Sequence, residues 1–209
     1  MRIGVTTRID KFEPYGEIRV GVDINWFKIF EGFAQEVFPV QTFQQGSIES
    51  IKRADLVVLT GGNDLSAHSN CQFSLRRDAI ETEIVEYCIR QQKKLVGVCR
   101  GMQFLNQYFG GKLAAVSDHV AQDHPVDVFE EWVPKTDEVN SFHGWGIPVS
   151  TVAQKFCISA TTNGGEFVEA FRHPSLPIRG VMWHPERYRP QRLSEENYFR
   201  LQRKIFEFE

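Results

Sequence analysis

No stretch of this 209-residue chain stays apolar for the ~20 residues that a bilayer span requires. The opening segment, Met1-Arg2-Ile3-Gly4-Val5, has no basic region, extended apolar stretch or small-residue cleavage site of a secretory signal. Cysteines are few. Cys71, Cys88, Cys99 and Cys157 are irregularly spaced and form no CxxC pair, which argues against a disulfide framework and a thiolate metal site. Positive charge is not in excess, with 24 Lys and Arg against 27 Asp and Glu and a net charge of −3. That balance gives no electrostatic reason to expect nucleic acid or an anionic membrane as a partner. Internal repeats, low-complexity tracts and linker-like segments are also missing. With 42% hydrophobic and 24% charged residues, the expectation is one globular domain over residues 1–209, in the cytoplasm.

Short apolar runs alternate with amphipathic stretches, the pattern of βα units around a parallel sheet. Strands are expected at Arg2–Val5, Leu56–Leu59 and Leu95–Val98. Helices are expected at Ile24–Val37, at Asp78–Gln91 and from Gly101 to about Tyr108. After Gly110-Gly111 the segments shorten, and Asp127–Val133, Glu138–Ser141, Ile158–Thr161, Phe167–Phe171 and Arg179–Trp183 read as strands between turns. Ser194 is a fitting N-cap for a closing helix that has Glu195 and Glu196 in its first turn.

The strongest local signal is Gly97-Val98-Cys99-Arg100-Gly101, where a buried strand runs into a cysteine and a helix begins just after it. This is the cysteine form of the G-x-S-x-G nucleophile elbow, in which small neighbours permit a sharp turn that exposes the nucleophile. The helix N-terminus favours thiolate, and the Arg100 N–H can face an oxyanion. A buried cysteine that merely ends a parallel strand would carry the same local pattern. Cys88 and Cys157 read as packing residues, and Cys71 lies in a polar loop with no base nearby in sequence.

A thiol nucleophile needs a base, and the base needs a group to fix its tautomer. Trp183-His184-Pro185-Glu186 supplies both, because an apolar strand ends at His184 and Pro185 keeps the chain extended. Positions 184 and 186 then share a side, so the carboxylate can reach the imidazole. The glycine pair Gly61-Gly62 follows another buried strand; it reads as a second oxyanion donor through the Gly62 N–H or as an ordinary βα turn. No Lys-Ser/Thr follows it, so it is not a phosphate loop. His143 ends a strand where it can line a pocket or simply pack. His119 and His124 match no familiar ligand spacing, His68 and His173 read as loop residues, and no metal site is expected.

Taken in order, Gly61-Gly62, Gly97-Val98-Cys99-Arg100-Gly101-Met102-Gln103, Val139-Asn140-Ser141-x-His143 and Trp183-His184-Pro185-Glu186-Arg187 resemble the class I glutamine amidotransferase-like superfamily. Within it they resemble the γ-glutamyl-γ-aminobutyrate hydrolase branch, peptidase family C26, over roughly residues 55–190. The resemblance implies an α/β, flavodoxin-like open sheet, mostly parallel, with helices on both faces and a small antiparallel extension. It also implies a catalytic Cys99, His184 and Glu186, an oxyanion site at Gly62 and Arg100, and a γ-glutamyl thioester intermediate. Gln103, Ser141, Phe142 and His143 are the implied substrate contacts, and no cofactor is needed.

Arg19-x3-Asp23-x2-Trp26, after the Arg8–Gly21 loop, is similar to short members associated with surface-polysaccharide biosynthesis. Some of these release glutamate from a γ-glutamyl nucleotide phosphoramidate. Arg8 and Arg19 could then meet phosphate oxygens, against the simpler reading of a solvated charged loop. The expected partner is a small-molecule γ-glutamyl substrate. The alternative is a glutaminase subunit delivering ammonia to a separate synthetase, and a homo-oligomer is compatible with either.

Overall fold

In a computed structural model the described residues are 1–117, 120–136, 138–189 and 193–208. The chain opens with β1 (Arg2–Thr6), a hairpin of β2 (Arg8–Phe12) and β3 (Glu17–Gly21), α1 (Asn25–Ile29), β4 (Glu36–Val40), α2 (Ser47–Lys52) and β5 (Leu56–Leu59). Then come α3 (Gln72–Arg90), β6 (Lys94–Val98), α4 (Arg100–Tyr108), β7 (Ala114–Ala115), β8 (Val120–Val128), β9 (Glu138–Phe142) and β10 (Trp145–Gly146). It ends with β11 (Cys157–Thr162), β12 (Val168–Arg172), β13 (Ile178–Val181) and α5 (Glu195–Gln202).

Nine strands form one sheet in the order β4-β1-β5-β6-β13-β12-β11-β8-β9. The pairings from β4 to β13 are parallel, and those from β13 to β9 are antiparallel. This is the expected α/β flavodoxin-like sheet with its antiparallel extension. Both faces of the parallel half are covered, so β5 is apolar throughout and its residues alternate between two cores. Leu56 and Val58 pack with Trp26, Ile29 and Phe199 from α1 and α5. Val57 and Leu59 pack with Ile84, Val85 and Leu105 from α3 and α4. Among the described residues no helix is long and apolar enough to cross a membrane.

Several expectations are corrected. The helix expected over Ile24–Val37 stops at Ile29, because Gly32 turns the chain with φ 70° and Glu36–Val40 pairs with β1 as an edge strand. Pro39 is tolerated there because an edge strand has one unpaired side. The Arg8–Gly21 loop is instead the β2–β3 hairpin, closed by Gly16 at φ 63°. Its β3 strand is solvated on both faces and so carries no apolar alternation to read. The third helix starts at Gln72 rather than Asp78, α2 is an additional short helix, and the strand expected at Asp127–Val133 runs Val120–Val128. The Ser194 cap is as expected, its hydroxyl accepting from the Asn197 N–H at 3.3 Å.

Candidate active site

The elbow is present as backbone geometry. Cys99 has φ 52° and ψ −109°, outside the regions a non-glycine residue ordinarily occupies. Such strain costs about 1–3 kcal/mol and persists only where the surroundings enforce it. Enforcement comes from both sides: the Cys99 N–H donates to the Val181 carbonyl at 2.8 Å, and its carbonyl accepts from the Gln103 N–H at 3.0 Å. The flanking glycines are needed for close packing. A Cβ on Gly101 would lie 2.1 Å from the Leu59 carbonyl oxygen, and one on Gly97 2.6 Å from the Gly101 backbone.

His184 follows β13 and is buried, with Nδ1 2.7 Å from Glu186 Oε1. A carboxylate accepts, so Nδ1 carries the proton and Nε2 is left for the Cys99 side of the ring: a Cβ on Gly61 would lie 3.4 Å from His184 Nε2 and 3.5 Å from Cys99 Cβ. Burial alone would depress the imidazole, but the charges and hydrogen bonds of Glu186 and Cys99 outweigh it and raise the ring to about 10. The imidazole is thereby held in its charged form at neutral pH. Asn140 fixes the segment: its side chain accepts from the His184 N–H at 2.9 Å and donates to the His184 carbonyl at 2.9 Å. Phe142 packs edge-on against the imidazole with ring centres 5.7 Å apart.

An unfolded histidine titrates near 6.5 and this one near 10. Its charged form therefore contributes stability in full below pH about 6.5, and that contribution is lost as pH rises towards about 10. Comparing the melting temperature with that of His184→Gln across this range should show the two converging with pH. Glu186→Gln should cut kcat by about 10²–10⁴-fold with little change in KM. An effect on KM alone would mean that the residue binds substrate.

The glycine loop is oriented from below. Arg77 on α3, fully buried, donates to the carbonyls of Thr60, Gly61 and Gly62 at 2.7, 3.0 and 2.9 Å. In a trans peptide the C=O and following N–H point in opposite directions, so the Gly62 N–H faces away from Arg77. The Arg100 side chain turns back to α3, where it pairs with Asp78 and Glu81, and Glu81 also holds Arg77 at 2.9 Å. A Cβ on Gly61 would sit 2.6 Å from His184 Cε1. Gly61→Ala should therefore displace the imidazole and lower kcat/KM by at least about 10²-fold while the fold persists. Unchanged kinetics would separate this loop from the chemistry.

Cys99, His184, Glu186, Gly62 and the Arg100 amide are thus brought together. Gln103 and His143 join them through one carbonyl, that of Trp145, which accepts from Gln103 Nε2 at 2.7 Å and from His143 Nδ1 at 3.0 Å. Ser141 is buried in β9 next to Asn140. Arg19 lies elsewhere, exposed on the hairpin, bonded to Glu17 at 2.7 Å and stacked over Phe12. Arg8 instead lines a small cleft with Gly61, Asp23, His184, Glu186 and Arg187, of about 30 Å³. Cys88 is buried on α3, where desolvation pushes its thiol up to about 12. Cys71 is exposed and Cys157 half-buried. His119 lies outside the described residues.

Sequence reading missed Arg77, whose role appears only when α3 is folded beneath the loop. Asn140 stood within a quoted motif, but spacing alone does not reveal that its amide clamps residues 184–187.

The fold defines a class, an open α/β sheet shared with solved structures. It superimposes on a putative GMP synthase subunit protein of Thermoplasma acidophilum with a TM-score of 0.69 and 17% identity, covering 99% of this chain and 92% of that one. The peptidase C26 family profile matches residues 30–186, so the chain belongs to that family and is an amidohydrolase. It is 29% identical over 190 residues to the γ-glutamyl-CDP-amidate hydrolase of Campylobacter jejuni subsp. jejuni, covering 90% of each chain. It is also 27% identical over 149 residues to a subunit of the glutamine-hydrolysing GMP synthase of Archaeoglobus fulgidus, covering 69% of this chain and 73% of that one.

Proposed function

We propose that the chain hydrolyses a γ-glutamyl amide through a thioester on Cys99. The Cys99 thiolate attacks the γ-carbonyl carbon, and the Gly62 and Arg100 amides receive the oxyanion. His184, oriented by Glu186, gives its proton to the leaving nitrogen as the C–N or P–N-linked amine departs. It then removes a proton from water, which attacks the thioester; L-glutamate leaves and the thiol is restored. Gln103 and His143 contact the γ-glutamyl group, and Arg8 and Arg187, beside His184 in the small cleft, meet an anionic leaving group such as a nucleotide phosphoramidate.

The observation that carries the substrate class is the likeness to the Campylobacter hydrolase, which extends over 90% of both chains. The likeness to the GMP synthase glutaminase is shorter, so delivery of ammonia to a separate synthetase is the second reading. A role in surface-polysaccharide synthesis goes with the first. Glutamate release by the purified chain from L-glutamine, γ-glutamyl-GABA and a γ-glutamyl nucleotide phosphoramidate separates the two. Fast, Cys99-dependent release from a non-glutamine substrate is expected. Slow turnover of glutamine alone would favour the synthetase-coupled reading.

A further inference from the structure

The β2–β3 hairpin forms a sheet of its own, and its two edges differ. On the β2 edge the side chain of Asn63, in the glycine loop, accepts from the Ile9 N–H at 3.1 Å and donates to the Ile9 carbonyl at 2.7 Å. Both backbone groups of Ile9 therefore point away from β3. In an antiparallel ladder such residues belong to the pairs that exchange no hydrogen bonds, and these alternate with the pairs that do. Val20, opposite Ile9, and Ile18, opposite Lys11, are then of the same kind, with their N–H and C=O groups directed away from β2. No further strand pairs with β3 among the described residues. The second edge is an open template for another strand.

The side chains on β3 are not those that keep an edge solitary. Ile18 and Val20 are each 48% exposed, and Phe12 and Tyr15 are exposed at the turn, stacked on each other. The strand has no proline and no lysine, and its two charges, Glu17 and Arg19, are of opposite sign and paired at 2.7 Å. A ribbon of two strands is at best marginally stable by itself, and added strands stabilise it.

We propose that β3 pairs antiparallel with β3 of a second copy of this chain, on a two-fold axis through Ile18. The charges select both the occupant and the register. Glu17-Ile18-Arg19 is its own complement when reversed. With the axis at Ile18, the two isoleucines exchange N–H···O=C bonds, Glu17 faces the partner's Arg19, and Arg19 faces the partner's Glu17. Opposite charges directly across a ladder stabilise it and like charges destabilise it. An axis through Arg19 would set two guanidiniums against each other, and one through Val20 would leave Arg19 across from the partner's Gly21.

The contact uses the same edge on both copies, so it closes at two and leads to no fibre. The product is a four-stranded antiparallel sheet whose outer edges are the two β2 strands, each still held by Asn63. None of the residues to which the proposed reaction gives a role takes part, so the pairing stands or falls independently of that reaction. One pair of five-residue strands is a small interface, and the dimer should dissociate on dilution.

Sedimentation equilibrium of the full chain across the micromolar range tests this. The mass should rise with concentration from 24.1 kDa towards twice that value. Glu17→Arg and Arg19→Glu should each weaken association by at least about tenfold, and the two changes together should restore it. Ile18→Pro should abolish it, because proline removes an N–H that only the second copy uses and leaves the hairpin's own bonds in place. Melting temperatures would verify that each variant is folded, and exchange of the Ile18 amide should slow as concentration rises. Rescue by the double variant, with protection of that amide, supports the proposal. A chain that stays monomeric throughout would overturn it and leave the edge to a strand of another protein. A dimer indifferent to all four variants would overturn it as well, since association would then use another face. So would a dimer broken by Ile18→Pro alone, or a double variant as weak as the single ones, since the axis would then not pass through Ile18.

Discussion

Cys99→Ala should lower the kcat of glutamate release by at least about 10⁴-fold while the protein stays folded, because the proposed thioester cannot form without the sulfur. The fold should survive since the elbow is imposed from outside the side chain, by the Val181 carbonyl, the first turn of α4 and the close approach of Gly97 to Gly101. Alanine accepts the same strained backbone that cysteine does, with φ 52°. Cys99→Ser should be almost as inactive, because a hydroxyl is a far weaker acid and a poorer nucleophile than a thiol. Activity above about one per cent of wild type in Cys99→Ala, by coupled glutamate assay, would remove the nucleophile from the mechanism. A collapse in melting temperature would show that the sulfur has a packing role that this account lacks.

Arg77→Met should be the most destabilising single change outside the apolar core. The side chain is 0% exposed and donates to three carbonyls of the glycine loop, and burial, with Arg100 nearby, lowers its pKa to about 10 despite Glu81. Methionine fills much of the volume but leaves those carbonyls without a donor and removes one partner of Glu81. The expected cost is about 3–5 kcal/mol, or a fall of roughly 10 °C in melting temperature for a chain of this size. The neighbouring Arg76, stacked over Phe43, is the control, and its substitution should cost under about 0.5 kcal/mol. A melting temperature for Arg77→Met within a degree or two of wild type would mean that the loop does not depend on the cluster beneath it.

The difference between these variants reflects what could be read before the fold was known. Cys99, His184 and Glu186 were legible because their chemistry is local: a strand-end cysteine between glycines, and a histidine and carboxylate two residues apart around a proline. The inner parallel strands were legible because they are buried on both faces and read as unbroken apolar runs, as in Leu56–Leu59, whereas the edge strand Glu36–Val40 was missed. Arg77 was not legible, since it acquires its meaning from partners far away in sequence. It lies among the polar residues at the start of a helix. The hairpin at Arg8–Gly21 failed for a different reason. A solvated ribbon needs no alternation, so Ile9 was the one residue on it with a burial signal. The long helix expected from Ile24 failed because Phe30, Phe33 and Val37 keep a helical spacing by coincidence while Gly32 turns the chain.

The central claim is that Cys99 carries the γ-glutamyl group between two half-reactions. It is tested most directly by acid-quenching the purified enzyme within milliseconds of mixing with a γ-glutamyl substrate and mapping the peptides by mass spectrometry. The account predicts one γ-glutamyl mass on the peptide containing Cys99, absent from Cys99→Ala and discharged by hydroxylamine. Turnover under the same conditions with Cys99 unmodified at every time point, or with the group on another residue, would contradict it.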